Sequence, residues 1–129
     1  MTKKARSFLT LAKIDLDHAR DNLQRHRRQA AWSVEQAAEK MIKAILTVEE
    51  IAFPATSHQL DHLVSLIPSD NPFKADLLDL TRLTSAATIY RYPTAGGDVP
   101  RDPPEKETTE DLEKIRLLLP EVEDWIRER

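Results

Sequence analysis

The sequence predicts an all-α fold, an antiparallel four-helix bundle with an additional short helix. Three observations lead there. Hydrophobic residues make up 40% of the chain and charged residues 32%, with only 2 glycines in 129 residues, the composition of a helical domain. Apolar residues recur three and four positions apart over long stretches, which aligns them on one helix face. Clusters of β-branched and aromatic residues, the mark of strands, are scarce. The length suits a single domain, residues 1–129, with a core of its own.

The first helix is expected from about Lys4 to about Gln24, with Leu9, Ala12, Leu16, Ala19 and Leu23 on its buried face. Ser33 and Gln36 stand at capping-box spacing, with Trp32 and Ala37 placed as a hydrophobic staple, so a second helix is expected to begin there. Its stripe of Val34, Ala38, Met41, Ile45, Val48 and Ala52 is widened by Ala37, Ala44 and Ile51, which makes it the central helix, and Pro54 is expected to end it. Thr56 and Gln59 repeat the capping-box pattern ahead of a short helix closed by Pro68. Asn71 and Pro72 read as the cap and first residue of a further long helix. That helix would carry Phe73, Leu77, Leu80, Leu83, Ala87 and Tyr90 and stop before Pro93. Residues 94–106 hold both glycines and three prolines and read as a solvated, mobile loop. The last helix is expected from Thr108 or Thr109, with Leu112, Ile115, Leu119, Val122 and Ile126 inward. Its apolar phase crosses Pro120, which predicts one kinked helix in place of two.

The net charge of −3 sets up no overall basic field for nucleic acid. The first helix is rich in Lys and Arg and the last in Glu and Asp, which suits two complementary faces of one bundle. With no cysteine, disulfides and thiolate metal sites are excluded. No apolar run is long enough to span a membrane, and the basic start meets Asp15 and Asp17 too soon for a signal peptide, so no membrane role and a cytoplasmic location are expected. His58 and His62 share a helix face at metal-ligand spacing, but two imidazoles need a third ligand and no HExxH pattern exists, so neither a metal nor a cofactor is expected.

Tyr90, Arg91 and Tyr92 admit two readings. As structure, Tyr90 extends the core stripe, Arg91 meets the helix dipole, and Pro93 stops the helix. As function, Arg91 binds phosphate while Tyr92 stacks on a base. The residues alone favour the first.

Three segments shift that balance: "EQAAEKMIKAIL" (Glu35 to Leu46), "TSHQLDHLVSLI" (Thr56 to Ile67) and "TIYRYP" (Thr88 to Pro93). In order and spacing they resemble the HEPN family, the higher-eukaryote and prokaryote nucleotide-binding domain, over nearly the whole chain. The resemblance implies a helical bundle that forms a homodimer. It also implies a gene neighbour of the minimal nucleotidyltransferase type, sometimes in a toxin–antitoxin pair. Many relatives are metal-independent endoribonucleases that use an Arg and a His four to six residues apart on a late helix. This sequence departs from that pattern. Its one such pair, Arg20 with His26, lies on the first helix, and no histidine follows His62. Arg91 falls on the family's Arg-Tyr-Pro position and His58 on its Thr-His-Asp-Leu position, where Gln59 replaces the Asp.

The favoured reading is a non-catalytic module that dimerises and binds a nucleotide, RNA or a nucleotidyltransferase, with Arg91, Tyr92 and His58 as ligand-binding residues. The alternative is a ribonuclease toxin in which Arg91 clamps phosphate and His58 serves as general acid or base. The barest reading is a structural bundle alone.

Overall fold

The computed structural model describes residues 2–84 and 89–129. Among the described residues five helices are defined: α1 (Lys3–Asn22), α2 (Arg27–Val48), α3 (Leu60–Ser65), α4 (Lys74–Leu78) and α5 (Glu105–Arg127). Among the described residues there is no strand. No helix is long and apolar enough to cross a membrane.

The α1 helix starts because the Thr2 hydroxyl accepts the Ala5 N–H at 3.2 Å. It buries Ala5, Leu9, Ala12 and Ala19. Its small residues let α2 approach closely, and these two helices share the most extensive packing in the fold. The chain then turns within residues 23–26, held by the His26 N–H donating to the Asn22 carbonyl at 2.8 Å.

The α2 helix begins at Arg27, six residues before the expected start, and Ser33 sits 2% exposed inside it. The capping box at Ser33 and Gln36 is therefore not formed. Nothing interrupts the helix between Arg27 and Ser33, and a hydroxyl can cap only where backbone N–H groups lack partners. The C-terminal half is buried on almost every side, from Met41 through Leu46, as expected of a central helix. The helix stops well before Pro54: Glu50 takes a left-handed φ of 59°, and the Ile51 N–H reaches back to the Leu46 carbonyl at 3.0 Å, closing the end in the manner usual for glycine.

The capping box at Thr56 and Gln59 is also unformed. The α3 helix starts only at Leu60, and the Leu60 N–H donates to the Thr84 hydroxyl at 2.9 Å. His58 thus lies in the connection before α3, outside its first turn. Asn71 does not cap the helix as expected: α4 starts at Lys74 with Phe73 at the cap position and no side-chain cap, and the Asn71 Oδ1 instead accepts the Phe73 N–H at 2.9 Å in the turn that precedes it. Where one long helix was expected, the five-residue α4 is followed by turns over residues 79–82, and helix is assigned again at Leu83, Thr84 and Ile89. Leu80, Thr81, Leu83 and Thr84 each donate to the carbonyl three residues back, the 3₁₀ pattern. Phe73, Leu77, Leu80 and Leu83 are nonetheless buried as the spacing required. Ala87 and Thr88 lie outside the described residues.

Pairs between elements fix the topology. Phe73 meets Trp125 edge-on at 5.8 Å, Asp79 accepts from Lys114 at 3.0 Å, and the Arg82 guanidinium reaches Glu107 and Asp111. The 73–84 segment therefore runs antiparallel to α5. Asn71 bonds Glu49 and Arg91 covers Trp32, so the same segment runs antiparallel to α2. The result is the up-and-down arrangement expected, with its third column broken by turns after α4. Lys13 of α1 pairs with Glu123 of α5, a contact between the basic and acidic helices.

The α5 helix starts at Glu105 and continues through Pro120 to Arg127. The loop before it is strapped to α2: the Arg27 Nε donates to the Pro103 carbonyl at 2.5 Å, and Arg28 donates to the Pro100 carbonyl and pairs with Asp102. At its tip, Gly97 supplies a φ of 85° and donates to the Thr94 carbonyl at 2.8 Å, a turn that favours glycine.

A candidate ligand cleft

One face of α2 is polar where its neighbours would lead one to expect apolar packing. Glu35, Glu39 and Lys43 recur every four residues and are 4%, 4% and 5% exposed. Spacing of four keeps them in a single row. The Lys43 Nζ donates to Glu39 Oε2 at 3.2 Å and lies over the Phe53 ring at 5.8 Å from its centroid. The His58 Nδ1–H donates to Glu39 Oε1 at 3.0 Å. Both Glu39 oxygens are thus occupied, which is how a buried carboxylate is retained.

The same row opens into a cleft of ≈ 420 Å³ lined by Trp32, Glu35, Gln36, His58, Thr84, Arg91 and Tyr92. The α2 helix supplies the floor, the 54–59 connection supplies His58 on one side, and the end of the third column supplies Arg91 and Tyr92 on the other. The Arg91 guanidinium stacks on the Trp32 ring at 4.8 Å from its centroid, which holds the cation in place without occupying its in-plane donors. Tyr92 is 60% exposed, so its ring is free to receive a flat ligand.

Glu35 carries the most perturbed acid of the site. Burial pushes its carboxyl up to about 7; the Gln36 hydrogen bond pulls down, Glu39 adds repulsion, and His58 and Lys40 pull down more weakly. The Gln36 Nε2 donates to Glu35 Oε2 at 2.8 Å. Lys40 is drawn toward Asp15 of α1.

All three residues singled out in the sequence, Arg91, Tyr92 and His58, therefore meet in this cleft. The Arg20 and His26 pair does not: Arg20 is engaged by Asp17 at 2.7 Å, and His26 occupies the exposed start of α2. His62 is exposed, and among the described residues no group of three metal-capable side chains forms. Trp32, Glu35 and Glu39 were not legible as site residues. The available signal was the Glu-Glu-Lys row at spacing four on a helix whose apolar stripe is already too wide for a surface element.

A family model described as the HEPN domain matches residues 5–129. The fold is similar to the crystal structure of ST0689, an archaeal HEPN homologue, with a TM-score of 0.66 and 20% sequence identity over 97% of this chain and 99% of that one. No curated protein matches the chain.

Proposed function

Because the chain belongs to the HEPN domain family, we propose that it is a non-catalytic module whose cleft binds a nucleotide, and that it works as a cytoplasmic homodimer beside a minimal nucleotidyltransferase. The observation that carries the reading is the convergence of Arg91, Tyr92 and His58, distant in sequence, on one cleft of ≈ 420 Å³. That volume suits a small ligand. Arg91 offers a planar fork for phosphate, and Tyr92 offers a face for a base. Family membership supports a nucleotide- or RNA-related role in general.

Titration calorimetry with nucleoside monophosphates tests the cleft. Arg91→Ala and His58→Ala are each expected to weaken binding about tenfold or more; unchanged binding in both removes the site. A tagged pull-down from the native host, read by mass spectrometry, tests the partner. Recovery of a small nucleotidyltransferase supports the two-component module.

A second reading has its own support. His58, fixed by Glu39, and Arg91 face one space, the pairing a metal-independent ribonuclease toxin would need of a general acid or base and a phosphate clamp. Growth arrest on expression that Arg91→Ala abolishes would favour it over the binding module.

A further inference from the structure

We propose that the cleft selects guanine, and that Gln36 and Glu35 read the base by presenting a row of one donor and two acceptors. The proposal rests on the nucleotide reading above and adds the identity of the base.

The row follows from the side-chain pairing. Gln36 Nε2 donates one hydrogen to Glu35 Oε2 at 2.8 Å and carries a second hydrogen for a ligand. Glu35 Oε2 keeps lone pairs beyond the one Gln36 uses. Glu35 lines the cleft, and among the described residues its Oε1 has no hydrogen-bond partner. From Gln36 to Glu35 the sequence is donor, acceptor, acceptor. Guanine offers the complement along its Watson–Crick edge: O6 accepts, N1–H donates, and the exocyclic amine donates. Cytosine reads guanine with the same three-atom pattern.

Other bases fit this row less well. Hypoxanthine keeps the first two contacts and lacks the amine, leaving Glu35 Oε1 unpaired. Uracil sets a carbonyl against that oxygen. Adenine places its ring N1, an acceptor, against the carboxylate. A site built to pair with donors rejects ligands that lack them, because its own buried polar groups are then stranded. Elsewhere in the cleft, Arg91 takes the phosphate and Tyr92 the face of the ring, contacts that every base shares.

The pattern depends on Glu35 being ionised, since a protonated carboxyl replaces one acceptor with a donor. The groups facing it are Gln36, Glu39 and Lys40 on its own helix, His58 from the connection before α3, and Arg91 and Tyr92 from across the cleft. With the carboxyl pushed up to about 7, selectivity for guanine rises as pH increases through neutrality.

Calorimetric titration of the full chain with GMP, IMP and AMP at pH 6 and pH 8, repeated on Glu35→Gln, tests this. At pH 8, GMP is expected to bind about tenfold or more tightly than IMP, the loss of one charged hydrogen bond. AMP is expected to bind weakest, the GMP advantage to shrink at pH 6, and Glu35→Gln to bring GMP down to the level of IMP. Equal binding of the three nucleotides by the native chain overturns the guanine assignment and leaves the nucleotide cleft standing. Failure of all three to bind overturns both. The ligand series on the unmutated protein decides the matter even if the variant folds poorly.

Discussion

Replacing Glu35 by glutamine is expected to stabilise the protein at pH 8 and to change it far less at pH 5. The folded carboxyl ionises at about 7, against an ordinary 4.5. A pH unit of such displacement is worth about 1.4 kcal/mol. Ionised Glu35 therefore destabilises the fold by about 3 kcal/mol. The sign follows from proton counts. Between pH 4.5 and about 7 the folded protein holds a proton that the unfolded chain has released, so stability from this group is complete below 4.5 and falls as pH rises to about 7. Glutamine keeps the shape, keeps an oxygen for the Gln36 donor, and never ionises. With a urea slope of about 1–3 kcal/mol/M for a small domain, the variant's midpoint should exceed the native one by about 1 M or more at pH 8. At pH 5 the difference should shrink to about a quarter of that. Taking the difference between the proteins at each pH cancels every titrating group that is not coupled to Glu35. A midpoint difference that does not change with pH would refute the reasoning, because it would mean that burial does not hold this carboxyl above its ordinary range.

Three further outcomes are expected. Ile45 is fully buried on α2, so Ile45→Ala should lower stability by about 2–5 kcal/mol in urea melts through the cavity it leaves. Glu50 holds a left-handed φ of 59° at the end of α2; Glu50→Gly should raise stability by about 1 kcal/mol by relieving that conformation, seen as a higher Tm. Arg28 ties the loop to α2 through the Pro100 carbonyl and Asp102. Arg28→Ala should therefore speed amide exchange or limited proteolysis in residues 94–104 by about tenfold, with little effect on exchange in α1.

The core was readable because burial follows apolar spacing whatever the local helix type. Phe73, Leu77, Leu80 and Leu83 show this: every one is buried as expected, although the long helix drawn through them is a short α4, turns over residues 79–82 and helix again at Leu83. Spacings of three and four satisfy both geometries, so the pattern could locate the buried face without deciding the helix. The capping boxes misled for a related reason. Ser33 and Thr56 have the right neighbours, but a cap exists only where a helix is already ending, and Ser33 falls inside a helix that begins at Arg27. In the cleft, Arg91, Tyr92 and His58 were legible through their motif positions. Glu35 and Glu39 were not, because a Glu-Glu-Lys row at spacing four is the normal appearance of a solvated surface. In the fold, Phe53 covers Lys43, His58 bonds Glu39, and Arg91 lines the same cleft as Glu35.

The stacking of Arg91 on Trp32 also makes the molecule its own optical instrument. The chain has 2 tryptophans. Trp125 is packed against Phe73, 8% exposed and outside the cleft, so its emission follows the integrity of the bundle. Trp32 is half-buried beneath a guanidinium, so its emission follows whatever draws that cation away. Substituting Trp125 by phenylalanine would leave one emitter. Occupancy of the cleft could then be followed in real time by fluorescence, with no label attached to protein or ligand.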